Sequence, residues 1–551
     1  MPPAPDAALA RFRTILAPDQ VEAAPSPRAS TIGAVRRLAG VLRPRNAAEV
    51  QAIVEIAAAT GSPLYPVSTG RNWGYGDGLP AVDGCFLVDL SAMDRILACD
   101  PELGVVTVEP GVTQGQLRAW LDARSLRFMV PVTGAGPDCS LVGNALERGF
   151  GITPHADHFG AVTALEAVLP DGRLYRSSFA ERGATAADRA FKWGVGPYLD
   201  GLFAQGGFGI VTQLSLVLAP RPEAICAFLF SVADEDGLGA AIEAVRGLLR
   251  MPGLTLGGIN LMNAPRVLAM LEPYPADGVS VVSDGFVAEG RRRHRLGAWT
   301  GIGALYGTRR GLRLARATVR DKLRVVDPRP QFFDDRAIAR LDAVMRHLPA
   351  AWTGGLRDRL ARARSLMEVL EGQPTTVALP LAYWRAGAPA LPTDRPADPA
   401  RDCCGLIWYA PVVPMTAAAV LHFVALARDG TIGHGFNPLI TLTSLSDRAF
   451  DGTVPIVFRH ADETARAHAC YAALLAAGQQ AGLLPYRLTI ESMRALADDP
   501  GSVFWQLVGR LKSAIDPRTS WRPDAMRRCR RLRRQKKTPP VGRPGRRGEE
   551  R

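Results

Sequence analysis

Three glycine-rich stretches, at residues 69–77, 133–144 and 149–155, constrain this chain more than anything else in it. The first, Thr69-Gly-Arg-Asn-Trp-Gly-Tyr-Gly-Asp77, follows the strand-like run Pro63-Leu-Tyr-Pro-Val67. Its glycines, Gly70, Gly74 and Gly76, permit close backbone approach to a ligand, and their amides can form an anion-binding nest. Alone, that loop fits a long hairpin turn equally well. Thr133-Gly-Ala-Gly-Pro-Asp-Cys-Ser-Leu-Val-Gly-Asn144 and Gly149-Phe-Gly-Ile-Thr-Pro-His155 change the balance. Three such loops between strands suit a cofactor lying along them with its diphosphate against backbone amides.

The flanking sequence gives α+β alternation. Asn46-Ala-Ala-Glu49 has the form of a capping box before an apolar helical face at Val50, Ile53, Val54 and Ile56. Cys85–Leu90 and Gly104–Glu109 read as strands, Gln114–Ala123 as a helix, and Ala161–Leu218 as strands around a Gly206–Gly209 turn. After Pro220-Arg-Pro222 the character shifts to long amphipathic helices (236–249, 333–347, 357–370) alternating with strands, so a domain boundary is expected there. The stretch 386–401 reads as a loop.

Several chemistries are unsupported. No GxxxxGK[ST], HExxH, GxSxG or strand-following GxGxxG occurs, and Gly301-Ile-Gly-Ala-Leu-Tyr-Gly307 reads as a strand with small residues. The eight cysteines (85, 99, 139, 226, 403, 404, 470, 529) lack zinc spacing, so no metal site is expected. The net charge of +13 suggests a nucleic-acid partner until it is located. Residues 518–551 hold 14 of the 66 basic and 3 of the 53 acidic groups, leaving a body with 52 and 50. A near-neutral body argues against nucleic acid. No apolar run approaches a membrane span, and Met1–Ala10 has neither a basic start nor an apolar core. A cytoplasmic location is expected, with the periplasm reached only by another route.

Pro66-Val-Ser-Thr-Gly-Arg-Asn-Trp-Gly-Tyr-Gly76 resembles the diphosphate loop of the 4-cresol dehydrogenase and vanillyl-alcohol oxidase family. Gly143-Asn-Ala-Leu-Glu-Arg-Gly149 is similar to that family's second flavin-contacting loop, and Lys192–Phe203 and Gly209-Ile-Val-Thr212 to a third stretch. Pro485-Tyr-Arg487 and Phe504–Pro517 extend the likeness, which covers roughly residues 40–517. The resemblance implies a two-lobed α+β FAD-linked oxidase fold. Its parts would be an N-terminal extension (1–39), an FAD-binding domain (40–222), an α/β cap (223–490) and a C-terminal segment (491–517) returning to the FAD domain. The implied FAD contacts are Ser68, Thr69, Gly70, Arg71, Asn72, Gly74, Ser140, Gly143, Asn144, Arg148, Gly149, Gly209 and Ile210.

The implied activity is oxidation of a para-substituted phenol at its benzylic carbon, through hydride transfer to flavin N5 and a quinone methide. Electrons would pass to a cytochrome c subunit or to oxygen, and a homodimer is expected. A free phenol has a pKa near 10, so ionising it at neutral pH requires a shift of about three units, ~4 kcal/mol. The resemblance assigns that anion site to Tyr75, Tyr486 and Arg487. Family members link flavin through His or Tyr. Leu406 stands at the His place, whereas Tyr383 resembles the tyrosyl-linked position. Two departures bear on the hydration step: Ala135 or a near neighbour stands where the oxidase has an Asp, and Asp447-Arg-Ala-Phe-Asp-Gly452 where a His pair is expected.

The family continues after its Asp-Pro with a short apolar stretch and Ala-Pro-Gly-Arg or Ala-Pro-Gly-Lys. Here Asp516-Pro517 is followed by Arg518-Thr-Ser-Trp-Arg-Pro-Asp-Ala-Met-Arg527. Back-translated with GC-rich codons and read two bases later, that string gives His-Val-Met-Ala-Pro-Gly-Arg-Tyr-Ala. The basic tail is therefore expected to be a frameshifted, disordered segment, and the chain as given to hold FAD weakly or to be catalytically impaired. A genuine disordered basic arm is the alternative reading.

Overall fold

In the computed structural model, the described residues are 5–517, apart from 276–278, 348–349, 387–390, 393, 498 and 500. The tail 518–551, with its expected frameshift, lies outside them.

The first lobe is built on two sheets. Strands Gly40–Leu42, Phe86–Asp89 and Leu64–Val67 run parallel, with Val21–Ala23 added antiparallel at one edge. Helix Ala47–Thr60 packs Val50, Ile53, Val54 and Ala57 against them. It begins where Asn46 Oδ1 accepts from the Glu49 amide at 2.9 Å and ends at Gly61, which takes φ +64°. The capping box forms only by half: the Glu49 carboxylate accepts from the Arg45 amide at 2.8 Å rather than from Asn46 N–H. The second sheet is antiparallel, in the order Leu174–Arg176, Val162–Val168, Ile210–Val217, Val105–Val108, Ile96–Asp100. Val162–Val168 is buried along its whole length, and its Glu166 is held there by accepting from Thr212 Oγ1 and Arg176 Nε, each at 3.0 Å.

The second lobe is one large antiparallel sheet. Its order is Gln331–Asp334, Ala224–Val232, Trp299–Gly307, Asn260–Asn263, Thr441–Ser444, Ala449–Arg459, Cys404–Tyr409, with Val412–Pro414 also paired to Ala449–Arg459. Helices Leu238–Leu249, Arg309–Leu323, Ala417–Gly433 and Thr464–Gln480 cover one face with a continuous core. Gly301 and Gly303 leave room for the Phe230 and Phe228 rings, which explains the small-residue spacing. Truncating either buried ring to Ala would cost about 3–5 kcal/mol. The opposite face of this sheet roofs the cleft between the lobes.

Residues 5–39 are not a detached extension. Helix Pro5–Ile15 buries Ala8, Leu9 and Phe12 in the first lobe's core, an i, i+4 spacing that makes one apolar stripe. The chain then crosses to the cap, where Ile32 sits in the cap core. The Ile32 carbonyl accepts from the His468 ring at 2.7 Å, and the Thr31 carbonyl accepts from the Leu406 amide at 2.8 Å. At the other end, helix Val503–Ile515 packs Val508 and Ile515 on the first lobe, and Lys512 donates to the Gly207 carbonyl. No helix among the described residues is long and apolar enough to cross a membrane.

Candidate active site

A cleft of about 490 Å³ runs between the lobes. Its floor comes from the glycine loops. Gly74 takes φ +79°, and its amide donates to Thr31 Oγ1 at 2.7 Å, while that hydroxyl donates to Asp77 Oδ1 at 2.7 Å. A Cβ at Gly74 would overlap the Trp408 indole, so only glycine lets the loop close beneath the cap strand. The second loop is tied to the first: the Ser140 amide donates to Thr69 Oγ1 at 3.1 Å. Ser140 also caps the short helix Leu141–Leu146 by accepting from the Gly143 amide at 2.9 Å.

The amides of Thr69, Gly70, Arg71 and Asn72 donate no hydrogen bond among the described residues, and Arg71 Nε is buried without an acceptor. Donors left unpaired along a cleft favour an anion, and a diphosphate would satisfy this set. The residues therefore fit a dinucleotide cofactor.

Of the positions expected from sequence, Ser68, Thr69, Gly70, Arg71, Asn72, Tyr75, Ser140, Gly143, Asn144, Gly209, Ile210, Tyr486 and Arg487 line the cleft. Gly74, Arg148 and Gly149 do not; they shape the turns behind it, Arg148 with φ +52°. Tyr383 follows the lining residues Leu381 and Ala382, and its hydroxyl donates to Asp402 Oδ2 at 2.6 Å within an apolar cluster.

At one end of the cleft Arg487 lies over the Tyr75 ring, 4.2 Å from its centroid, and donates to Asn72 Oδ1 at 2.7 Å. Tyr486 donates to Asp451 Oδ2 at 3.3 Å. Burial raises the Tyr75 hydroxyl, with Arg487 opposing. Burial also lifts Tyr486, reinforced by Asp451 and Tyr75. Asp451 is pushed up to about 7 by burial against the pull of Arg487. Burial works against the Arg487 charge, but Tyr75, Tyr486, Glu147 and Asp451 outweigh it, so that guanidinium stays charged. His158, pulled down to about 4 by burial, is neutral beside Asn144.

Sequence reasoning missed the roof. Register places Asn260 opposite Thr443 and Thr443 opposite Asp451, with Thr441 opposite Thr453, all facing the cleft. Alternation of Asp451, Thr453 and Thr441, Thr443 with buried apolar neighbours could have signalled a polar sheet face. Arg266, on helix Ala264–Leu271, also lines the cleft and was not anticipated.

Residues 38–178 match the model of an FAD-binding domain family. The chain is 36% identical over 520 residues to 1'-carboxy-chondrochloren decarboxylase of Chondromyces crocatus, covering 93% of this chain and 95% of that one. It is 27% identical over 474 residues to the 4-cresol dehydrogenase flavoprotein subunit of Pseudomonas putida, covering 85% and 84%. Among solved structures, p-cresol methylhydroxylase with substrate bound superposes with a TM-score of 0.82 at 24% identity, covering 94% of this chain and 96% of that one. The 4-ethylphenol oxidase of Gulosibacter chungangensis in its isoeugenol complex gives 0.81 at 22%, with the same coverage. These two likenesses speak to the fold.

Proposed function

The chain belongs to the 4-cresol dehydrogenase and vanillyl-alcohol oxidase family of FAD-linked oxidases, and on that premise we propose that it oxidises a para-substituted phenol at the benzylic carbon. It is an FAD-dependent oxidoreductase with the two-lobed fold of that family. Bound FAD supplies a two-electron hydride acceptor.

One observation carries the reading: two tyrosine hydroxyls and a guanidinium converge at one end of the cleft beside a carboxyl that titrates near neutrality. Tyr75 donates to the phenol oxygen, Tyr486 accepts from the phenol O–H while donating to Asp451, and Arg487 supplies the charge that favours the ionised form. Asp451, at about 7 and bonded to Tyr486, accepts the phenol proton through that hydroxyl. Moving a proton from a phenol near 10 to a carboxylate near 7 opposes transfer by ~4 kcal/mol, which the Arg487 field has to offset. Thr443 lies between Asn260 and Asp451 on the roof above this site.

The test is anaerobic mixing of the FAD-loaded chain with 4-alkylphenols. Bleaching of the flavin absorbance is expected, followed by reoxidation with either oxygen or cytochrome c, which identifies the acceptor. A fully loaded protein that no para-substituted phenol reduces would overturn the reading.

A further inference from the structure

Arg266 has no role in the phenol-binding end just described, yet it is 8% exposed and lines the same cleft. Its amide donates to Asn263 Oδ1 at 3.1 Å as part of a helix cap, but its guanidinium makes no hydrogen bond among the described residues. Nε and Nη1 are both buried and unpaired. Burial alone pulls its pKa down to about 10, and no carboxylate opposes that. Thr441 Oγ1, on the same roof, is buried and unpaired too. A charge left in this state is strongly destabilising unless a ligand completes it.

The place of Arg266 argues for substrate rather than cofactor. It sits in the first turn of the helix that follows Asn260–Asn263, the roof strand next to Thr441–Ser444, whereas the unpaired amides suited to a diphosphate lie in the first lobe. Two departures in the sequence point the same way. Ala135 or a near neighbour, and the Asp447–Gly452 segment, replace the Asp and the His pair that the resemblance associates with hydration, and Asp451 of that segment is engaged with Tyr486. That leaves room for another fate of the quinone methide.

We propose that Arg266, with the Thr441 hydroxyl, forms a carboxylate subsite, so that the substrate is a para-hydroxyphenyl compound carrying a carboxylate on the carbon next to the benzylic one. The inference rests on the phenol-oxidation reading and extends it to oxidative decarboxylation. The benzylic C–H bond would break with FAD as the two-electron oxidant taking its hydride, leaving a quinone methide. The bond to the carboxylate then breaks, and its electron pair forms the side-chain double bond as the ring returns to phenolate. One CO2 and one vinylphenol result, and the two electrons reside on the flavin. Arg266 orients the carboxylate, and the relative named as a decarboxylase at 36% identity supports such an outcome.

The FAD-loaded chain is titrated calorimetrically with 3-(4-hydroxyphenyl)propanoate, its primary amide and 4-ethylphenol, and each is then mixed anaerobically while CO2 is collected. The acid is expected to bind at least about tenfold tighter than the amide, the scale of a charge-assisted pair. It is also expected to release one CO2 per flavin reduced. In Arg266→Met the acid-to-amide preference falls to about one, and Arg266→Lys restores part of it. Equal binding of acid and amide by the unmodified chain overturns the subsite, as does flavin reduction by the acid without CO2. An Arg266→Met protein that loses FAD but keeps its acid preference also overturns it, by assigning Arg266 to the cofactor. If that variant fails to fold, the acid and amide comparison on the unmodified chain still decides. Reduction by 4-ethylphenol without acid preference sinks only the subsite, whereas a flavin that no phenol reduces sinks the reading beneath it.

Discussion

Asp451 should make the cofactor-free protein lose stability as pH rises, and Asp451→Asn should remove that loss. The folded-state pKa is raised from 3.8 to about 7, chiefly by burial. The native state therefore binds this proton more tightly than the unfolded chain. Its contribution is fully present below the unfolded value near 4 and is lost as pH rises through 7. Linkage over that interval gives a change of about 3 kcal/mol between about pH 5 and pH 8.5. The neutral amide of Asn mimics the protonated acid and carries no such dependence. Urea unfolding followed by tryptophan fluorescence, at both pH values, measures the difference between parent and variant. The difference cancels other titrating groups, including Asp77, which burial also raises to about 7. At high pH the variant should gain on the parent by that amount. A parent-to-variant difference that stays constant across the range would refute the reasoning, because Asp451 would then be no more costly to ionise when folded than when unfolded.

The anion site makes a second prediction: Arg487→Ala should slow flavin reduction by phenols by at least about 2 kcal/mol, and Tyr75→Phe by less, measured by anaerobic stopped flow. Gly74→Ala forces a Cβ into the Trp408 indole at φ +79°, so it should cost more than the ~1 kcal/mol of an unhindered glycine replacement in thermal unfolding. Since the Tyr383 hydroxyl is held by Asp402, acid precipitation of FAD-loaded protein should leave the yellow colour in the supernatant; a yellow pellet would restore the tyrosyl link.

The glycine loops were legible because their function is local: a nest needs consecutive amides and residues without Cβ, and both are written into residues 68–77. Tyr75, Tyr486 and Arg487 were reached through motif likeness, and the fold brings them to one end of the cleft. Asp451 was noticed only as part of a segment replacing a His pair. Its place beside Tyr486 depends on the register of Ala449–Arg459 against Thr441–Ser444, which no local pattern fixes. Arg266 was invisible for a related reason. Asn263-Ala-Pro-Arg266 reads as an ordinary helix start, and an arginine there is usually solvated. Only tertiary packing shows that nothing meets its guanidinium. Tyr383 was reached through a family position, and the short turn of helix Pro380–Tyr383 sets its hydroxyl against Asp402, a partner that the sequence pattern does not show.

The crossing of residues 28–36 from the first lobe into the cap has a consequence for how the chain is made. Ile32 leaves the ribosome early, yet its partner His468 follows 436 residues later. At roughly 5–20 residues per second, the interval is on the order of 20–90 s. Throughout it the Ile32 carbonyl lacks its His468 donor, and the cap core that buries Ile32 is still being made. The first lobe has all of its strands by residue 217 and can settle well before that. Translation speed over the second half of the message, rather than the stability of the finished protein, should then govern how much of this chain reaches the native state, and slowing the ribosome there lengthens exposure instead of relieving it.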